Sequence, residues 1–84
     1  MKHAGAEALR RLEALLEEVR RRQGLKERKA GIFYRKSKAF LHFHEDPAGL
    51  FADLRGADDF DRFQVNTAAQ EQRLLDEIDR RLSD

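Results

Sequence analysis

The sequence predicts a two-layer α+β domain: a meander of three or four short antiparallel strands, with an N-terminal and a C-terminal helix on one face. Three observations predict it. Apolar residues recur at helical spacing at both ends of the chain, the period falls to two between them, and the changes of direction carry turn chemistry. The 84 residues make one domain, 1–84. A chain this short buries only about 60% of its unfolded surface, so oligomerisation is an available reinforcement.

The first helix is read over residues 4–23. Leu9, Leu12, Leu16 and Val19 recur at helical spacing, and Ala8 and Leu15 widen the stripe. Glu17–Arg21 and Glu18–Arg22 are i,i+4 pairs in the favourable order, and Arg20 to Arg22 lie where the helix dipole favours cations. Gly24 is placed to cap the end in a left-handed conformation. The second helix is read over residues 66–82. Thr67 as N-cap and Gln70 three residues on make a capping box, and Leu74, Leu75, Ile78 and Leu82 form the stripe.

Strands are expected at Ile32 to Arg35, Lys38 to Glu45 and Leu50 to Arg55, with a weaker fourth at Phe60 to Val65. Asp46-Pro47-Ala48-Gly49 and Gly56-Ala57-Asp58-Asp59 are turns. Lys36-Ser37 lacks the Gly or Asn that a two-residue hairpin turn prefers, which points to a longer or bulged connection. Turns centred on 36–37 and 47–48 pair Phe33 with Phe40, Leu41 with Leu54, His42 with Asp53, Phe43 with Ala52 and His44 with Phe51. A turn at 56–59 sets Asp53 beside Arg62.

Parity then sorts the side chains onto two faces, because a slip of one residue would exchange them. One face collects Ile32, Tyr34, Ala39, Leu41, Phe43, Leu50, Ala52, Leu54, Phe63 and Val65, and is expected to receive the helices. The other collects Phe33, Arg35, Phe40, His42, His44, Phe51, Asp53, Arg55, Phe60, Arg62 and Gln64. These rings and charges make the second face the candidate binding surface. The alternative is that the C-terminal helix or the loop 24–31 covers it and its phenylalanines are core.

Composition narrows the classes. The chain has no cysteine, which excludes disulfides and thiolate metal sites and fits a reducing compartment. The charged N-terminus has no apolar region of a signal peptide, and no apolar run approaches the roughly 20 residues of a membrane span. The expected location is the cytoplasm, with no membrane partner. Net charge is +1, but nine of the ten charges from Arg20 to Lys38 are basic and six of the seven from Glu45 to Asp61 are acidic. That polarity either steers an anionic partner or is simply a solvated surface.

Self-association through the second face is the first functional reading, giving a non-catalytic homodimeric interaction module. Four phenylalanines there would expose a patch of several hundred Å², near the upper range for a monomer. Single-stranded nucleic-acid binding is the alternative, since aromatic rings flanked by arginine can stack unpaired bases. A metal or small-ligand site at His42, His44 and Asp53 comes third: two histidines at i and i+2 share a face opposite a carboxylate, but an HxH pair is a common accident. No cofactor is therefore expected. His42 with Asp53 is half of a general-base arrangement, and no nucleophile stands beside it in the sequence, so no catalytic residue is assigned.

The run Gly31-Ile32-Phe33-Tyr34-Arg35-Lys36-Ser37-Lys38-Ala39-Phe40-Leu41-His42-Phe43-His44-Glu45-Asp46, continued by Gly49 to Arg55, resembles a group of small uncharacterised bacterial proteins. The resemblance covers roughly the middle third of the chain. It implies a bacterial, cytoplasmic, stand-alone domain, and it carries no assigned activity to any residue.

Overall fold

The two apolar stripes and the alternating strands meet in one core. The computed structural model describes residues 2–83. Along the chain run β1 (Lys2–His3), α1 (Ala6–Arg11), α2 (Glu13–Arg20), β2 (Lys26–Lys29), β3 (Ile32–Arg35), β4 (Lys38–Asp46), β5 (Gly49–Arg55), β6 (Phe60–Gln64) and α3 (Ala68–Leu82). The sheet is antiparallel in the order β2-β3-β4-β5-β6, and β1 pairs with the far end of β4. The fold is α+β, as expected, with six strands where the sequence predicts three or four.

All three helices bury their stripes on the same side of the sheet. Leu12, Leu15, Leu16 and Val19 from α1–α2 and Leu74, Leu75 and Ile78 from α3 are sealed with Leu41, Phe43, Ala52, Leu54 and Val65. Each of these leucine, isoleucine, valine and phenylalanine side chains contributes roughly 1.5–3 kcal/mol on removal from water. The N-terminal helix is not continuous: Leu12, at φ −95° and ψ 6°, breaks it into two pieces. Gly24 is left-handed, at φ +92°, but the helix stops earlier, at Arg20. The α3 capping box forms as read, with the Thr67 hydroxyl accepting from the Gln70 amide and the Gln70 side chain accepting from the Thr67 amide.

From β4 onward the strand register is the expected one. Leu41 faces Leu54, His42 faces Asp53, Phe43 faces Ala52, His44 faces Phe51 and Asp53 faces Arg62. Gly49 closes the β4–β5 hairpin at φ +136°, where a Cβ would lie 2.8 Å from Asn66 Oδ1. That close approach lets Asn66 Oδ1 accept the Leu50 amide at 2.7 Å.

Between β3 and β4 the register departs from expectation. The 36–37 turn does have two residues, both left-handed, with Lys36 at φ 52° and Ser37 at φ 72°. Arg35 faces Lys38 and Tyr34 faces Ala39, but Phe33 then faces Leu41, leaving Phe40 as an extra residue in β4. One bulge residue inverts the parity of everything on the turn side of it. Phe33 and Phe40 are therefore core residues, 1% and 3% exposed, on the helix side. Arg35 also turns to that side and donates to the Arg81 carbonyl at the end of α3. Ile32, Tyr34 and Ala39 take their places on the other face. The bulge thus places Phe33 and Phe40 beside Phe43 in the core.

Among the described residues, no helix is long and apolar enough to cross a membrane.

Candidate functional site

The face away from the helices is built by β4, β5 and β6, whose alternation brings His42, His44, Phe51, Asp53, Arg55, Phe60, Arg62 and Gln64 to one side. Of the residues expected there, His42, His44, Phe51, Asp53, Arg55 and Arg62 are brought together. Phe33, Arg35 and Phe40 are not, because of the bulge.

Asp53 is the anchor. Arg62 clamps it with two parallel bonds, Nε to Oδ1 at 2.8 Å and Nη2 to Oδ2 at 2.9 Å. This fork holds the Asp53 carboxyl below the usual carboxylate range, against the opposing effect of burial. His44 Nε2 lies 3.1 Å from the same Oδ2. His42 Nδ1 lies 2.8 Å from His44 Nε2. Burial pushes both imidazoles below their ordinary value, with the charge of His44 adding to the effect on His42. The buried Nδ1 of His44 makes no hydrogen bond of ordinary geometry, while the Lys2 backbone lies close enough to the ring to favour its protonated form.

His3 completes the group, and the sequence reading missed it. It arrives on β1, where it faces His44 in the register. Its ring centroid lies 4.8 Å from that of His44 and 5.7 Å from that of His42. β1 is held to β4 by its short ladder, by the Ala4 amide donating to the Phe43 carbonyl at 3.0 Å, and by Glu45, which accepts the Gly5 amide at 2.6 Å and pairs with Lys2. A two-residue strand has no periodicity to detect. The one available signal was that the chain holds only three histidines, two of them already on this face.

Around the histidines lie partly exposed apolar groups: Ile32 opposite His42, Tyr34 on β3, Phe51, and Phe60, which meets the His42 ring edge-on at 4.8 Å. Arg28 stacks on Tyr34 at 5.0 Å and Arg55 on Phe60 at 4.8 Å. Chemically, the group offers imidazole nitrogens beside an oriented carboxylate. The His44–Asp53 pair resembles half of a general base, but among the described residues no Ser, Thr or Tyr hydroxyl bonds to His42, His44 or Asp53.

A cavity of about 650 Å³ opens elsewhere, between the β3–β4 turn and the end of α3, over Phe40 and beside Arg35, Lys36, Lys38, Arg55 and Arg81. Three of these guanidinium groups are already in use as main-chain clamps. Arg35 donates to the Arg81 carbonyl, Arg55 to that of Ala39, and Arg81 to that of Arg55 while also bonding Glu77 and Asp61. They hold the sheet and helix ends together.

No family model matches this chain, and no curated protein or solved structure does either.

Proposed function

We propose that the protein is a small non-catalytic binding module whose working surface is the open sheet face, and that its partner there is a second copy of the same chain. One observation carries this reading. Every helix packs on one side, while the other side keeps Ile32, Tyr34, Phe51 and Phe60 partly exposed around a charged network. The bulge exchanges which apolar residues lie on this face without emptying it. Two such faces related by a two-fold axis would cover those side chains. Edge-to-edge pairing is the less favoured geometry. The outer strand β2 reads Lys-Glu-Arg-Lys, and the outer strand β6 carries Asp61 and Arg62, charges that oppose strand addition.

Light scattering across a concentration series tests the proposal. The parent chain is expected to be dimeric at high micromolar concentration. Ile32→Glu combined with Phe51→Glu is expected to give a monomer that still unfolds cooperatively, because both side chains lie outside the core cluster. A parent chain that stays monomeric, or a double variant that keeps the parent's mass, removes the reading.

Single-stranded nucleic acid is a second reading, favoured by the arginine–aromatic pairs. Against it, one face of the Tyr34 and Phe60 rings is already covered by its own arginine. A salt-sensitive mobility shift of a short single-stranded oligonucleotide would support it, and no shift at low salt would eliminate it.

A further inference from the structure

The chain contains three histidines, and all three stand at one point of the open face. Residues far apart in sequence make this convergence, and the fold has to bring β1 back along β4 to achieve it. One ring nitrogen from each of His3, His42 and His44 can be chosen so that the three lie within 4.8 Å of one another. A four-coordinate zinc ion with Zn–N distances of 2.0–2.1 Å spaces its nitrogens about 3.4 Å apart. Small side-chain rotations close the difference, and His3, the exposed member, is free to make the largest.

We propose that His3, His42 and His44 form a binding site for a divalent transition metal of the zinc class. The donor set selects the class. Three imidazoles are borderline-soft nitrogen donors suited to Zn²⁺ and its first-row neighbours, whereas Mg²⁺ and Ca²⁺ require oxygen ligands. Asp53 supplies the support that metal-bound imidazoles ordinarily have. It lies 3.1 Å from His44 and is itself fixed by the Arg62 fork, so it orients the ring while remaining outside the three-nitrogen set. The buried Nδ1 of His44 makes no hydrogen bond of ordinary geometry, although the Lys2 backbone lies beside the ring. Bound metal would also fasten the two-residue strand β1 to β4 through His3. The competing arrangement is a purely internal one, three rings packed together with no ion.

The site lies within one chain and does not depend on association, so the two proposals fail separately. The test is calorimetric titration of the untagged full chain with ZnCl₂ at pH 7.5, with MgCl₂ in parallel, at a concentration where scattering gives a single species. Saturable binding of one zinc per chain is expected, with no heat from magnesium. His3 lies outside the hydrophobic core cluster, so metal-free unfolding of His3→Ala should match the parent, while its zinc affinity should fall by at least about tenfold. Ring ¹⁵N resonances of all three histidines should move with zinc in the parent. Absence of saturable binding overturns the site. So does affinity unchanged by His3→Ala, ring signals that stay still, or a stoichiometry of one zinc per two chains.

Discussion

The Glu27 carboxylate receives Nε and Nη2 of Arg20 at 2.6 and 3.2 Å and the Gly31 amide at 2.9 Å. It thus joins the end of α2 to the β2–β3 hairpin, and its side chain is only 19% exposed. Arg20 chiefly, and the Gly31 amide with it, hold the Glu27 carboxyl below its ordinary value of 4.5 despite burial. A depressed folded value means the stabilisation is complete above pH about 4.5 and is lost as the pH falls through the folded value. Glu27→Gln should therefore destabilise by about 1 kcal/mol at pH 7, a modest figure because Arg20 is one-third exposed. The difference from the parent should narrow as the pH falls below about 4.5. Urea unfolding of both proteins at pH 7, 4.5 and 3 measures this, and a gap that persists unchanged at pH 3 would show that packing, not the ion pair, is responsible. Nothing in the sequence marked this pair, because Arg20 and Glu27 lie seven apart across the helix end.

At the scale of elements, one inserted residue decides which side chains belong to the site. Regular alternation from the 36–37 turn would carry Phe40 to the open face, whereas the bulge turns it inward beside Leu41. Phe40→Ala should therefore cost about 3–5 kcal/mol, as for a core phenylalanine. Phe51→Ala, on the partly exposed face, should cost about 1 kcal/mol. Equal small effects at both positions would return Phe40 to the surface and refute the bulge. The β4–β5–β6 register was legible because Pro47, Gly49 and the 56–59 turn pin it from both ends, and the α3 cap was legible because Thr67 and Gln70 have the right spacing. The β3–β4 hairpin had only Lys36-Ser37. That pair signalled an irregular connection but not its place, and the irregularity fell inside the strand instead of at the turn. β2 left no apolar alternation to read, since an edge strand of four charged residues looks like a loop. His3 was hidden for the related reason that β1 owes its conformation to contacts with β4 rather than to its own two residues.

Over the whole molecule, the order β2-β3-β4-β5-β6 places β3, β4 and β5 between neighbours on both sides and leaves β2 and β6 outermost. β4 and β5 also carry most of the buried sheet residues, including Leu41, Phe43, Ala52 and Leu54, which are at most 1% exposed. Strand ends with few buried contacts open locally, while the central ladder opens only when the core does. Amide hydrogen exchange should therefore be slowest in β4 and β5, near the limit set by global unfolding, and faster by orders of magnitude in β1 and β2. His42, His44 and Asp53 would then stand on the strands that open least, and His3 on one that opens readily, so the three-histidine group is rigid on one side and hinged on the other. Residue-resolved exchange of the untagged chain decides this. Protection of the β2 amides equal to that of Phe43 and Ala52 would mean that the sheet unfolds as a single unit, and the contrast between a fixed pair of histidines and a mobile third would be wrong.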